Sequence, residues 1–454
     1  MPATLFGGSC TYVLTSGVQE GIKFRMETIR AIEGTRDYFG ADADRFSLPL
    51  RTAAEIFSRY GYSQIIIPIF ENTSLFARSL GETTDIVAKE MYTFTPGSET
   101  ITLRPEGTAG VIRAILQHEL HKQAGLLKFW YAGPMFRRER PQKGRLRQFH
   151  QVGVEAVGSS NPLLDVEVIA LGMRYYETLG LRDVRLRLNT IGCLDTYCRP
   201  HYRDRLRQAL QPLLPHLCGT CQARFDRNIL RILDCKISVC QEAVKNLPRS
   251  HEHVCGACSA HFGAVREGLD AQGISYTLDH TLVRGLDYYA RTVFEYTHPA
   301  LGAQDAIGGG GRYDGLTRQL GGPDMPAIGF ALGIERIMIA LSALVGNAEA
   351  RGGNLHLYGI ALSEESRKAM ASLLAQVRQA GWSADMDYEG RSLKAQLRVA
   401  NKRGARLALI LGDDELRAGQ AIIKDLRSSG EQKSVPLARC VDEIKERVQL
   451  PCSP

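Results

Sequence analysis

One stretch constrains this chain more than any other. It runs through Phe129-Trp-Tyr-Ala-Gly-Pro-Met-Phe136, then a loop of cations, then a return run from Phe149 to Val157. The first run is apolar and aromatic and reads as a buried strand. The return run alternates as a half-buried strand does. Between them stand Arg137, Arg138, Arg140, Lys143, Arg145 and Arg147, interrupted by Pro141 and Gly144. Strand, basic loop and strand predict a hairpin that holds a polyanion against a sheet. A basic run by itself is usually a solvated turn. Here Gln151 and Glu155 share one face of the return strand at period-two spacing, beside the arginines. Anion clamps next to a carboxylate suit a ligand with phosphate at one end and a cation at the other.

At 454 residues the chain is too long for one core and divides into two or three domains. Its 44% hydrophobic and 23% charged content is that of an ordinary soluble globular protein. A net charge of +7 permits a nucleic-acid partner without demanding one. No apolar run approaches the ~20 residues that span a bilayer, so no membrane is expected. Residues 1–25 lack a signal-peptide core and carry little acid. A disordered leader, a transit peptide and a misplaced start with Met26 as first residue all fit them.

Apolar residues from Asp44 to Tyr60 fall at helical spacing, and Gly61 stops that helix. Ser63 to Phe70 follows as a strand whose Pro68 removes a ladder donor, which predicts an edge or a subunit boundary. Strands at Arg187–Ile191 and Val283–Tyr296 flank a mostly helical segment, 194–274, read as an insertion. Gly308 to Gly311 lack the trailing Gly-Lys-Ser/Thr of a phosphate loop and instead predict close approach of backbone to a substrate. Arg351 to Asn354 reads as a linker. Beyond it strands (Leu355–Leu362, Trp382–Tyr388, Arg406–Leu411) alternate with helices (Glu364–Gln379, Leu393–Lys402), the pattern of a small α/β domain. Its Arg391, Lys394, Arg398, Lys402, Arg403 and Arg406 gather on and beside one helix, either as an RNA-facing surface or as a solvated amphipathic face.

Cysteines mark the insertion: Cys218-x-x-Cys221, Cys235, Cys240 and Cys255-x-x-Cys258. Two C-x-x-C pairs in an intracellular protein read more naturally as a metal site than as disulfides. Tetrahedral zinc takes four thiolates from two short knuckles, which assigns Cys218, Cys221, Cys255 and Cys258, with Cys235 and Cys240 as alternates. Small buried thiols are the competing reading.

Four segments carry a family resemblance. Phe136-Arg137-x-Glu139 with Arg145-x-x-x-Phe149 resembles the second signature motif of class II aminoacyl-tRNA synthetases. Leu103-Arg-Pro-Glu-Gly-Thr108 resembles that class's amino-acid-binding loop. Leu282-Val-Arg-Gly-Leu-Asp-Tyr-Tyr289 is similar to a peptide particular to histidyl-tRNA synthetases. Ile328-Gly-Phe-Ala-Leu-Gly-Ile-Glu-Arg336 resembles the third class II motif. Over residues 26–445 the chain thus resembles histidyl-tRNA synthetases of bacterial type.

The resemblance implies an α+β fold, an antiparallel sheet flanked by helices. It divides the chain into an N-terminal extension (1–25), a catalytic domain (26–346) containing a helical insertion domain (194–274), and a C-terminal α/β anticodon-binding domain (355–454). The helix and strand over 44–70 resemble the first class II motif, which implies a homodimer; an ordinary pair within one subunit fits as well. The implied activity is a cytoplasmic histidine–tRNA ligase using ATP with Mg2+, L-histidine and tRNA(His). By resemblance Arg137, Arg284 and Arg336 are catalytic cations. Glu106, Gly107, Thr108, Arg137, Gln151, Glu155, Arg284, Tyr288, Tyr289 and Tyr313 bind histidine, and Arg137, Glu139, Arg145, Phe149 and Arg336 bind ATP. The family's activity does not depend on metal at the cysteines. The alternative is a catalytically silent paralogue regulating ATP phosphoribosyltransferase. Such regulators lack a C-terminal domain and parts of the histidine-specific peptide, both present here. An RNA-binding sensor fused to a kinase would need a kinase segment, and the chain has none.

Overall fold

The structure, a computed structural model, describes residues 28–81, 84, 86–123, 125–194, 197–302, 304–345, 355–427 and 432–449. The proposed extension, 1–25, and the linker Arg351–Asn354 lie outside them. An eight-stranded sheet forms the centre of the larger part. Its order is Ser63–Gln64, Leu127–Phe136, Gln148–Val157, Ala327–Gly333, Ala306–Arg312, Ala290–Thr297, Arg185–Thr190 and Tyr276–Leu278. The six inner strands pair antiparallel, and only the two outermost strands join in parallel.

The basic hairpin forms as its pattern predicts. Leu127–Phe136 pairs with Gln148–Val157 from Leu127 opposite Val157 to Phe136 opposite Gln148. That register puts Phe149, Gln151 and Glu155 at alternate positions of the return strand, on one face. The helix Ala41–Arg59 buries Ala53, Ile56 and Phe57 against the sheet, with the Phe57 ring meeting Trp130 and Phe330 edge-on. Gly61 ends it at φ +81°, a conformation that costs glycine little. Pro162–Thr178 backs the same face, started by Asn161, whose side chain accepts from the Leu163 N–H, and by Pro162 in its first turn.

Two predicted strands come out differently. Ser63–Gln64 pairs at the sheet edge, but the chain leaves at Pro68, and Phe70–Asn72 joins a separate three-stranded sheet. The missing N–H of Pro68 fits that break. The run from Val283 contains a loop through Tyr289, and the strand begins only at Ala290. Helices Cys198–Leu210, Gly219–Arg227, Ser238–Val244 and Gly256–Ala271 fill the insertion, with a core of its own that includes Leu206, Leu210, Phe225 and Ile232.

The C-terminal part has a five-stranded sheet in the order Ala384–Met386, Leu357–Ala361, Leu407–Leu411, Gln420–Asp425 and Gln432–Pro436. The first three strands are parallel. Every residue of Leu357–Ala361 and Leu407–Leu411 is buried, as central parallel strands require. The last two strands add antiparallel. Helices Glu364–Gln379 and Leu393–Lys402 have the predicted bounds. Ser363 opens the first by accepting from the Ser366 N–H.

Candidate active site

A cavity of about 650 Å3 opens on the face of the large sheet. Its floor comes from Gly308, Gly309, Gly329 and Ala331 on the central strands. The hairpin loop forms one wall and the Thr281–Tyr289 loop another. Of the residues assigned from sequence, Glu106, Thr108, Arg137, Glu139, Arg145, Phe149, Gln151, Arg284, Tyr288, Tyr289, Tyr313 and Arg336 all line it. Gly107 and Glu155 stand behind that lining.

Glu155 is 1% exposed. The Thr108 hydroxyl donates to its Oε1 at 2.7 Å, and the Tyr313 hydroxyl donates to its Oε2. Burial pushes its carboxyl up to about 8; the two hydroxyls oppose that rise and nearby Glu106 adds to it. No side chain fits on Gly329, because a Cβ there would meet Glu155 Oε2 at 2.0 Å. Glu106 accepts from the backbone N–H groups of Thr108, at 2.6 Å, and Ala109, at 2.9 Å. It therefore caps the helix Thr108–Gln117 while lining the cavity. The Tyr288 ring packs between those of Tyr289 and Tyr313, with centroids 4.7 Å and 5.6 Å away. Gln151 Oε1 is buried with no hydrogen-bond partner among the described residues. A buried amide oxygen in that state calls for a donor from a ligand or water.

The cations line the same cavity. Arg137 donates through Nε to the Pro105 carbonyl at 3.0 Å, and its guanidinium lies 5.2 Å from the Phe149 ring centre. Glu139 sits between Arg137, at 3.8 Å, and Arg145, at 3.3 Å. Arg284 donates to Glu295 Oε2 at 3.1 Å and lies 5.7 Å from the Tyr289 ring centre. Gly309 makes room for it, since a Cβ there would meet Arg284 Nη1 at 2.8 Å. This explains part of the glycine run: Gly308 and Gly309 bring bare backbone to the cavity. Arg336 is tied to carbonyls, Nε to Gly144 at 3.0 Å and Nη1 to Gln304 at 3.0 Å and Ala306 at 2.6 Å. These bonds join the hairpin loop to the central strand.

Sequence reasoning missed a third wall. Arg231, Leu233, Asp234, Cys235 and Lys236, all from the insertion, line the cavity. It also missed Arg199, which donates to the carbonyls of Asp287, at 2.9 Å, and Tyr289, at 3.0 Å, and so holds the loop bearing Arg284 and the tyrosines. Neither contribution has a local signal, because both arise from folding the insertion back onto the sheet.

The cysteine assignment needs correction. Cys218, Cys221, Cys255 and Cys258 do not form one group. Cys218 and Cys221 gather with Cys235 and Cys240, while Cys255 and Cys258 gather with Cys193 and Cys198. The insertion starts and ends at the same edge of the sheet. Its closing knuckle therefore returns to Cys193 and Cys198 at its start, and the internal knuckle meets the internal pair.

Comparisons with known proteins agree with this geometry. The family model described as histidyl-tRNA synthetase matches residues 34–337, and that of an anticodon binding domain matches residues 356–447. A histidine–tRNA ligase of Halothermothrix orenii is 47% identical over 92% of this chain and 100% of its own length. One of Moorella thermoacetica is 50% identical over 91% of this chain and 97% of its own. The crystal structure of apo Staphylococcus aureus histidyl-tRNA synthetase is similar with a TM-score of 0.76 and 34% identity, covering 92% of this chain and 100% of that one. With the predicted motifs gathered round one cavity and these matches spanning the eight-stranded and the five-stranded sheet, the chain belongs to the histidyl-tRNA synthetase family.

Proposed function

We propose that the chain activates L-histidine with ATP and ligates it to tRNA(His), as histidine–tRNA ligases do, rather than serving as a silent regulator. The observation that carries this is the cavity's polarity. The buried Glu155 carboxyl and three tyrosines stand at the same cavity as four cations, Arg137, Arg145, Arg284 and Arg336. In the first step a histidine carboxylate oxygen bonds to the α-phosphorus of ATP, the bond to the bridging oxygen breaks, and pyrophosphate leaves. In the second, a ribose hydroxyl of the terminal adenosine attacks the carbonyl carbon and AMP leaves.

Phosphoryl transfer needs charge placed where the equatorial oxygens become more negative. Arg137 and Arg284 hold the α-phosphate and the substrate carboxylate, and Arg336 and Arg145 hold the outer phosphates. Phe149, braced by Arg137, offers a flat face to adenine. Mg2+ would arrive with ATP and supply charge at its phosphates, and Glu139, between Arg137 and Arg145, is the carboxylate on that wall that would meet it. Gln151 Oε1 accepts from the α-ammonium, which gives its buried oxygen a donor. Glu106 supplies negative charge nearby. Glu155, held by Thr108 and Tyr313, brackets the imidazole with Tyr289 and Tyr288. A pocket with that many buried polar groups rejects a ligand lacking ring nitrogens, since it would leave them unpaired.

The basic helix Leu393–Lys402 faces the anticodon. The chain pairs with a second copy through the segment around Pro68, where Ile66 is 88% and Phe70 58% exposed. Among the described residues no helix is long and apolar enough to cross a membrane. We read the compartment as the cytoplasm, where translation consumes charged tRNA. Histidine-dependent ATP–pyrophosphate exchange followed by charging of tRNA(His) tests the proposal. Folded protein that supports neither would overturn it in favour of the regulator.

A further inference from the structure

We propose that the insertion carries two separate structural zinc sites, each a closed set of four thiolates: Cys193, Cys198, Cys255 and Cys258 in one, and Cys218, Cys221, Cys235 and Cys240 in the other. In each set the four sulfurs lie within 4.8 Å of one another. A tetrahedral zinc with Zn–S bonds of about 2.3 Å puts its sulfurs about 3.8 Å apart. The separations here are 3.4 Å between Cys193 and Cys198 and 3.9 Å between Cys218 and Cys235. One ion fits that spacing. A multi-iron cluster, whose thiolates bind different irons, needs more room.

Both sets are built on the same plan, which chance burial of thiols does not explain. Each has a C-x-x-C knuckle whose first cysteine is the N-cap of a helix: Cys218 before Gly219–Arg227, and Cys255 before Gly256–Ala271. In each, the backbone N–H of that first cysteine donates to a sulfur of the other pair. Cys218 N–H reaches Cys240 Sγ at 3.3 Å, and Cys255 N–H reaches Cys198 Sγ at 3.1 Å. Such N–H donors stabilise thiolate ligands from outside the coordination sphere. Each set also combines two half-exposed and two buried cysteines.

The placement gives the metals a task. Cys198 immediately precedes Arg199, which holds the Asp287 and Tyr289 carbonyls. Cys235 itself lines the cavity beside Asp234 and Lys236. One site thus pins the anchor of the substrate loop, and the other pins the third wall. Metal affinity in closed thiolate sites is also folding free energy, so both contacts depend on occupancy.

The test is metal analysis of the full chain, purified under reducing conditions without chelators. About two equivalents of zinc per chain are expected. The double variant Cys235→Ser/Cys240→Ser should keep about one, and Cys193→Ser/Cys198→Ser should keep the other. X-ray absorption at the zinc edge of the unaltered protein should show four sulfur neighbours and no nitrogen, a readout that survives if a variant fails to fold. Fewer than about 0.2 equivalents would overturn the proposal. So would a single equivalent abolished by either double variant, iron in place of zinc, or intramolecular disulfides found by mass spectrometry in protein kept from oxidants.

Discussion

The Thr108 hydroxyl points at Glu155 Oε1 from 2.7 Å, across 47 residues of sequence. The contact joins the loop that starts a helix to the strand that carries the hairpin's return. With the Tyr313 hydroxyl on the other oxygen, it leaves Glu155 oriented, with no ion pair to a cation among the described residues. Burial keeps the proton on this carboxyl above the usual range, although the two hydroxyls oppose the rise.

That state has a measurable consequence. Glu155 is raised from 4.5 to about 8, chiefly by burial. The folded chain then keeps a proton that the unfolded chain releases between those values. The stability this gives is complete below about 4.5 and is lost as pH rises through about 8. Glu155→Gln has no such proton. The unaltered protein should lose stability relative to the variant by up to about 1.4 kcal/mol per pH unit within that window. Paired thermal unfolding curves from pH 5 to pH 9 should show the difference narrowing or reversing with rising pH. A difference constant over that range would mean that Glu155 is ionised throughout.

Arg284 touches Glu295 and the Tyr289 ring but no backbone carbonyl among its described contacts, unlike Arg336. Its charge is therefore more available to substrate. Arg284→Ala should slow pyrophosphate exchange on the order of 10²-fold or more, the usual cost of losing a cation that acts on developing charge. Histidine affinity, measured by calorimetry without ATP, should change less. Exchange close to that of the unaltered protein would remove Arg284 from the catalytic set.

The most buried ion pair serves architecture. Arg312 and Asp165 are both fully buried, with Arg312 Nη2 2.6 Å from Asp165 Oδ2. The same carboxylate meets His261 Nε2 at 3.1 Å, which ties a central strand and a backing helix to the last helix of the insertion. Arg312→Met leaves Asp165 without its main partner and should destabilise the protein by roughly 3–5 kcal/mol. Denaturant unfolding measures this. A loss below about 1 kcal/mol would show that His261 and water compensate.

What the sequence reveals and what it hides divide by contact range. The hairpin and the four motifs were legible because each packs its information into a short run, with period two or a fixed spacing. Two helices of the C-terminal part, Glu364–Gln379 and Leu393–Lys402, were legible from apolar spacing over ten or more residues, whereas Asp413–Arg417 and Cys440–Gln449 were not read. The antiparallel strands Gln420–Asp425 and Gln432–Pro436 were not legible, because mixed burial along the first and exposure along the second leave a weak pattern. The cysteine partition was hidden for a different reason. Two knuckles in one segment invite pairing with each other, and nothing local marks Cys193 at the end of a strand as a partner for Cys255. Arg199 escaped notice in the same way: the carbonyls it holds lie 88 and 90 residues away in sequence.

The C-terminal part should be separable in function. Every residue that lines the cavity precedes Ala340, and the sheet of Leu357–Ala361 has its own core of Met370, Leu374, Leu409 and Ile423. Removing residues 355–454 takes away no cavity side chain. Histidine-dependent pyrophosphate exchange should therefore persist at a measurable rate. Charging of tRNA(His) should fall by on the order of 10²-fold or more, since the cations of the Leu393–Lys402 helix go with the deletion and phosphate contacts supply much of RNA affinity. The shortened protein should also lose most of the salt dependence of tRNA binding. Full charging efficiency by a soluble truncated chain would show that the basic helix is only a solvated face.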